Sequence, residues 1–322
     1  MLCILFCSFD IEPILYFSKQ NMTSNHTHSF SALKMQSKKR VSALLTVFLL
    51  FGCQKPEPNS TIVFEKKSAQ EKSIVAISAP STYYKSIDFS KSPKEIQEDL
   101  SRLITQTHTR ELSYTPDVWK VLKKADLDLQ DRSQVRLIYG STNEDRDLTT
   151  DLLRDKDRTL KNNNNGWNRE HVYAKSVGNP NLGTEGPGSD AHHLRASDEK
   201  QNAKRSNLPF TDGKGAAYKD NNAWYPGDIW KGDVARMLMY MYLRYGERCD
   251  PNRMAENPNG DPMPELFLKW NAEDPVDDFE RQRNQVIANA QGNRNPFIDN
   301  PYLATLLWGG EPAQNTWEIS QN

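Results

Sequence analysis

Cysteine is scarce in this chain of 322 residues: there are four, and none forms a CxxC pair. A disulfide scaffold and a cysteine-bound structural zinc are therefore excluded. No apolar run reaches the roughly 20 residues that a bilayer-spanning helix requires, and the mean hydropathy of -0.77 agrees. An excess of either charge is lacking as well, with 41 Lys and Arg against 42 Asp and Glu. Any contact with a polyanion must then come from a local patch and not from a global field. What the chain does have is 37% hydrophobic and 10% aromatic residues, enough to build a globular core.

The amino-terminal part reads as export machinery. Lys38, Lys39 and Arg40 precede an apolar stretch from Val41 to Phe51, and Gly52-Cys53 closes it. A basic, then apolar, then small-residue order is that of a secretory signal, and the terminal cysteine makes it the lipoprotein type, with Cys53 as the lipidated residue. Met35 is the expected true start, so residues 1–53 comprise an over-extended start and the signal, 54–82 a flexible Ser-, Lys-, Glu- and Pro-rich tether, and 83–322 one catalytic domain. Residues 1–53 hold 5 of the basic and 2 of the acidic residues, which leaves 36 and 40, a mildly acidic mature chain. Of the cysteines beyond that point only Cys249 remains, read as a bystander thiol.

Along the domain, Ser92-Pro93-Lys94-Glu95 is a capping-box pattern, and Ile96, Leu100, Leu103 and Ile104 follow at helical spacing. Thr115-Pro116 is expected to open a second helix carrying Val118, Trp119 and Leu122, and Val135 to Tyr139 reads as a buried strand. The polar, asparagine-rich stretch from Gly140 to Gly166 reads as an exposed loop. Trp230, Val234, Leu238, Met241, Tyr242 and Tyr245 form one apolar stripe ending at Gly246, a core helix and not a cofactor box. Asp277 to Ala290 is a further, charge-rich helix.

Three of only six histidines, His171, His192 and His193, fall within 23 residues, and Glu170, Asp190, Arg195, Asn202 and Arg205 lie with them between positions 170 and 205. Trp167 to Val172 fits the end of a strand, on which Glu170 and His171 face opposite sides. Asp198 to Arg205 fits a helix with Ser197 as its N-cap, giving the order strand, long loop, helix. An imidazole, a carboxylate with an amide oxygen, and guanidinium groups are what phosphodiester hydrolysis needs. They supply a base for water, hard ligands for a divalent cation and contacts for phosphate.

Three strings carry a more specific resemblance: Asn168-Arg169-Glu170-His171-Val172, then Asp190-Ala191-His192-His193-Leu194-Arg195, then Asn202-Ala203-Lys204-Arg205-Ser206-Asn207. In this order they resemble the blocks of the endonuclease I family of bacterial secreted and periplasmic nucleases, which has a ββα-metal (His-Me finger) core. Ala174 and Ala191 depart from the family pattern, standing where many members have proline and leucine. The resemblance implies an α+β fold of helices and short strands around that core, covering about Tyr83 to Trp308. It implies His171 as general base, Glu170 and Asn202 as ligands of one divalent metal ion, Mg²⁺ first with Mn²⁺ or Ca²⁺ as alternatives, and 5′-phosphate products from DNA or RNA cut with little sequence preference.

Arg195 and Arg205 are the expected phosphate contacts, although arginines beside acidic groups also form plain ion pairs. Asp190, His192, His193 and Arg169 are expected to support the site. Lys200 and Lys204 would line a substrate groove or else a solvated helix face. No obligate protein partner is implied, and membrane attachment would be through lipid alone, at the outer membrane or cell surface, with a periplasmic or secreted protein as the alternative. Two other readings compete: a zinc hydrolase using Asp190, His192 and His193, which would survive loss of Asn202, and a catalytically inactive nucleic-acid-binding lipoprotein on the same fold.

Overall fold

Ser92 opens the first helix, α1 (Pro93–Thr107), through a reciprocal cap. The Glu95 amide donates to the Ser92 hydroxyl at 3.4 Å and the Ser92 amide to the Glu95 carboxylate at 3.1 Å. The computed structural model describes residues 82–142, 145–159 and 165–317, all within the unit Ala69–Asn322. The signal segment, Cys53 and the tether up to Ser81 lie outside the described residues. Ile96, Leu100 and Ile104 of α1 are buried, at about 2 kcal/mol for each such side chain.

The second helix starts later than expected. Thr115 is extended (φ -135, ψ 121) within an irregular turn, Tyr114–Val118, because the residue before a proline is pushed out of the helical region. Helix α2 proper is Trp119–Ala125. The strand expected from Val135 to Tyr139 is also shorter. Strand β1 (Gln134–Arg136) pairs antiparallel with β2 (Leu153–Asp155), and the chain then turns at Tyr139, whose φ of 72 lies in the left-handed region. Leu137, Ile138 and Tyr139 stay buried nonetheless.

β2 corrects the reading of 140–166 as an exposed loop. Arg154 is buried there, its guanidinium 3.2 Å from Asp198 and bonded to the carbonyls of Leu148 and Asn165. Of these partners Asp198 lies 44 residues along the chain, too far for local composition to announce it.

Strand β3 (Trp167–His171) pairs antiparallel with β4 (Leu194–Asp198), in the register Glu170↔Arg195 and His171↔Leu194. Helix α3 (Glu199–Arg205) follows β4 directly. The expected strand, loop and helix is therefore ββα. β4 escaped notice because all five of its residues, polar ones included, are buried, which erases the period-two alternation. Asp198, not Ser197, caps α3, accepting from the amides of Lys200 (2.8 Å) and Gln201 (3.2 Å), while the Ser197 hydroxyl donates to the Asp198 carbonyl.

A small hairpin, β5 (Tyr218–Asp220) and β6 (Ala223–Tyr225), precedes α4 (Lys231–Tyr245), which stops at Gly246 with φ 54. α5 (Glu265–Glu273), α6 (Asp278–Gln291), α7 (Pro296–Asp299) and α8 (Tyr302–Trp308) complete the chain. The main core surrounds α4, against which α1, α5 and α7 pack. A second core joins α2 and α6 to the β3–β4 pair through Val121, Leu122, Trp167, Leu194 and Ile287. The result is α+β, with short antiparallel strand pairs among helices. Among the described residues no helix is long and apolar enough to cross a membrane.

Candidate active site

A cleft of about 310 Å³ opens where the end of β3 meets α3. Arg169, Glu170, His171, Asn202 and Arg205 line it, so five residues singled out by sequence come together here. Arg195, Asp190, His192 and His193 do not line it.

His171 ends β3 half-buried. Its Nε2 lies 3.0 Å from the Gly188 carbonyl oxygen. A carbonyl can only accept, so Nε2 carries the proton and Nδ1 keeps the lone pair, the tautomer a base requires. Burial pushes the imidazole pKa down to about 3, with His193 acting in the same direction, so the ring is neutral at working pH. The Tyr114 ring stacks on it at 5.5 Å and 23°. The supporting turn is tight, because a Cβ on Gly188 would meet the Gly183 carbonyl oxygen at 2.2 Å, and only glycine fits. The same turn takes up the neighbouring imidazole, with His193 Nε2 2.7 Å from the Pro187 carbonyl oxygen.

Glu170, one residue earlier, faces the other side of the strand and is buried. The Tyr139 hydroxyl donates to its Oε1 at 2.9 Å, and Arg205 Nη1 is 3.3 Å from that same oxygen. Neither contact uses Oε2. Burial raises the Glu170 pKa, opposed by Arg205 and by Tyr139, so a cation beside this carboxylate would offset its desolvation.

Asn202 projects from α3, its Nδ2 donating to Asn168 Oδ1 at 2.7 Å and to the Arg169 carbonyl at 3.4 Å. Because a backbone carbonyl only accepts, this fixes the amide flip and leaves Oδ1 for the cleft. A carboxylate and an amide oxygen form an all-oxygen pair suited to a hard cation that retains most of its waters. Among the described residues no group of three or more His, Cys, Asp and Glu side chains is arranged to hold a metal, so a zinc site of that type is not what the cleft offers.

The arginines differ from expectation. Arg205 is fully buried, with Nη1 donating to the carbonyls of His171 (3.3 Å) and Ser206 (3.0 Å) and Nη2 to that of Val172 (2.7 Å). It braces the end of β3 and Glu170, and its Nη donors are directed to these protein acceptors. Arg195 is equally buried. Its Nη1 bonds Asp233 at 2.7 Å, its Nε lies 3.3 Å from Asp126, and the guanidinium sits 4.8 Å from the Trp230 ring. Arg169 is held over Tyr114 at 3.5 Å and over Trp119 at 4.5 Å and bonds the Tyr114 carbonyl.

Asp190, His192 and His193 are buried behind the cleft, each with protein partners. Asp190 accepts from Tyr240 (2.7 Å), Tyr245 (2.9 Å) and Gln291 (3.0 Å) and caps the His192 amide. Burial raises its pKa, but the imidazoles of His192 and His108 and the hydrogen bonds from Gln291 and Tyr240 hold the carboxyl well below the usual range. His192 Nε2 meets the Asn293 carbonyl at 3.1 Å. The group is a buried polar hub that seats β4 on α4 and α6. Cys249 is a free, buried thiol whose pKa burial pushes up to about 12. Tyr114, Tyr139 and Asn168 went unassigned in the sequence. Asn168 alone carried a signal, as the first residue of a quoted motif.

Residues 92–302 match the family described as Endonuclease I. An extracellular ribonuclease of Bacillus subtilis (strain 168) is 39% identical over 259 residues, 73% of this chain and 84% of that protein. An extracellular ribonuclease of Bacillus amyloliquefaciens is 40% identical over 246 residues, 70% of this chain and 78% of that protein. An extracellular deoxyribonuclease of Aeromonas hydrophila is 30% identical over 121 residues, 34% of this chain and 49% of that protein.

Proposed function

Since the chain belongs to the endonuclease I family, we propose that it is an exported, metal-dependent endonuclease that cuts both RNA and DNA with little sequence preference. The observation that carries this reading is the pairing, in one cleft, of a base-competent His171 with the oxygen pair of Glu170 and Asn202. His171 Nδ1 takes a proton from water as its oxygen attacks phosphorus. The bond to the 3′ oxygen then breaks, leaving a 5′-phosphate and a 3′-hydroxyl whose proton comes from solvent. Glu170 and Asn202 would hold one divalent cation, Mg²⁺ by the hardness of the donors, and when bound it offsets negative charge on the phosphate and the leaving oxygen.

Water is the nucleophile in this scheme, so a 2′-hydroxyl is not required. Relatives named as ribonucleases and as a deoxyribonuclease support the same breadth. Export is supported by their extracellular naming and by the basic, apolar and Cys53 order near the amino terminus. Cys53 would carry a lipid anchor, at the outer membrane or cell surface.

Supercoiled plasmid and single-stranded RNA incubated with Mg²⁺ should both be degraded. EDTA should stop the reaction, and His171→Ala should slow it about 10²- to 10⁴-fold. A wild-type chain that leaves both substrates intact across the common divalent metals would overturn the proposal.

A further inference from the structure

We infer that Lys175 is the side chain that grips a substrate backbone phosphate at this cleft, an assignment that rests on the nuclease reading above. A nucleic acid brings one negative charge per nucleotide, and a cleft that holds it needs a cation with free donors. The arginines near the cleft are all engaged by the protein, Arg205 and Arg195 by full burial and Arg169 through Nη1 and its stacked guanidinium face. Arg205 is buried, its Nη donors directed to three backbone carbonyls and Glu170. Arg169 is held over two aromatic rings and bonds the Tyr114 carbonyl and the Thr115 hydroxyl. Arg195 is paired with Asp126 and Asp233 away from the cleft.

Lys175 lines the same cleft, four residues past His171, and is exposed. Its backbone is fixed while its side chain is not. The Leu182 amide donates to the Lys175 carbonyl at 3.0 Å, and the Val177 amide closes the turn onto the Ala174 carbonyl at 2.9 Å. Among the described residues no carboxylate pairs with its ammonium, although its charge is close enough to act on His171. Ser176, Ser206 and Asn207, all exposed, share the cleft and add hydroxyl and amide donors. A compact ammonium on a flexible stem, with small polar donors around it, suits a phosphate as a point charge and reads no base.

The test separates binding from chemistry. Anisotropy of a short fluorescein-labelled single-stranded oligodeoxynucleotide is titrated with the full chain in EDTA over a range of salt, and cleavage of the same strand is followed in Mg²⁺. Lys175→Gln should weaken binding on the order of tenfold and flatten the dependence of log Kd on log salt by about 0.7, the loss of one phosphate contact on a single strand. Lys175→Arg should stay near wild type, as should Lys94→Gln, which removes the same charge from α1. In Mg²⁺ the Lys175→Gln loss should lie in KM. Active wild type with a Lys175→Gln variant of unchanged affinity and salt slope overturns the assignment alone. A wild-type chain that neither binds nor cuts overturns the nuclease reading and this assignment with it.

Discussion

Replacing Asn168 by alanine removes the better of the two acceptors that orient the Asn202 amide. The acceptor left, the Arg169 carbonyl, is 3.4 Å away, beyond the usual 2.7–3.2 Å range, and so holds the amide weakly. A neutral hydrogen bond contributes about 1 kcal/mol net, which sets the size of the effect. Without it the amide can turn its NH₂ toward the cleft, and a cation must work against that rotation. Since the cation cannot lose more than the orientation was worth, the half-saturating Mg²⁺ concentration should rise by up to about fivefold. The turnover rate should recover at high metal. Asn168→Asp, which still accepts from Nδ2, should keep wild-type behaviour or bind metal more tightly. Rates measured against Mg²⁺ at saturating oligonucleotide, with Mn²⁺ binding followed by electron paramagnetic resonance, give both quantities. A variant with wild-type metal dependence but a reduced maximal rate would refute the orienting role.

Arg195→Met leaves the Asp233 carboxyl buried without its partner, which should cost about 3–5 kcal/mol of stability. Activity per folded molecule should hold, because Arg195 does not line the cleft, and a stable but inactive variant would restore it as a catalytic group. His193 gives a pH test: burial pushes its pKa down to about 4, against about 6.5 when unfolded. The unfolded chain then takes up the proton first, and the stability of the neutral imidazole is whole above about pH 6.5 and drains away as pH falls toward 4, by about 2 kcal/mol between pH 7 and 5. Asp233, raised to about 7, and Asp274, raised to about 6, both chiefly by burial, act with the opposite sign. The readout is accordingly the stability gap between wild type and His193→Gln in urea melts, which should be about 2 kcal/mol smaller at pH 5 than at pH 7. A gap independent of pH would sink the claim.

What the sequence disclosed follows from how far apart the interacting groups lie. The α1 cap was legible because Ser92 and Glu95 are three residues apart, and α4 because its stripe is a local period. Glu170, His171 and Asn202 were recognisable from motif strings, and the cleft collects them. Arg195 and Arg205 were recognisable only as residue types. Whether a guanidinium reaches a substrate depends on partners such as Asp233 and the Val172 carbonyl, which lie 38 and 33 residues away. Tyr139, 31 residues from Glu170, was hidden for the same reason. β4 was invisible because its polar residues are buried against distant groups, so its pattern has no exposed face.

Alternation along β3 divides its residues between two faces with different partners. Trp167, Arg169 and His171 share a face, where they interleave with Trp119 and Tyr114: Trp119 lies 4.9 Å from Trp167 and 4.5 Å from Arg169, and Tyr114 lies 3.5 Å from Arg169 and 5.5 Å from His171. Asn168 and Glu170 occupy the opposite face, where the first orients Asn202 and the second meets Tyr139 and Arg205. His171, the proposed base, and Glu170, one of the two proposed ligands, are thus neighbours joined by a single peptide unit. Each half is then locked by its own packing, the imidazole by the aromatic row and the Gly188 carbonyl, the oxygens by α3 and Tyr139. Asn202, the other proposed ligand, lies outside that covalent link, on α3. That helix begins on the residue after β4 and is capped by Asp198, so Asn202 is tied to the strand that pairs with β3.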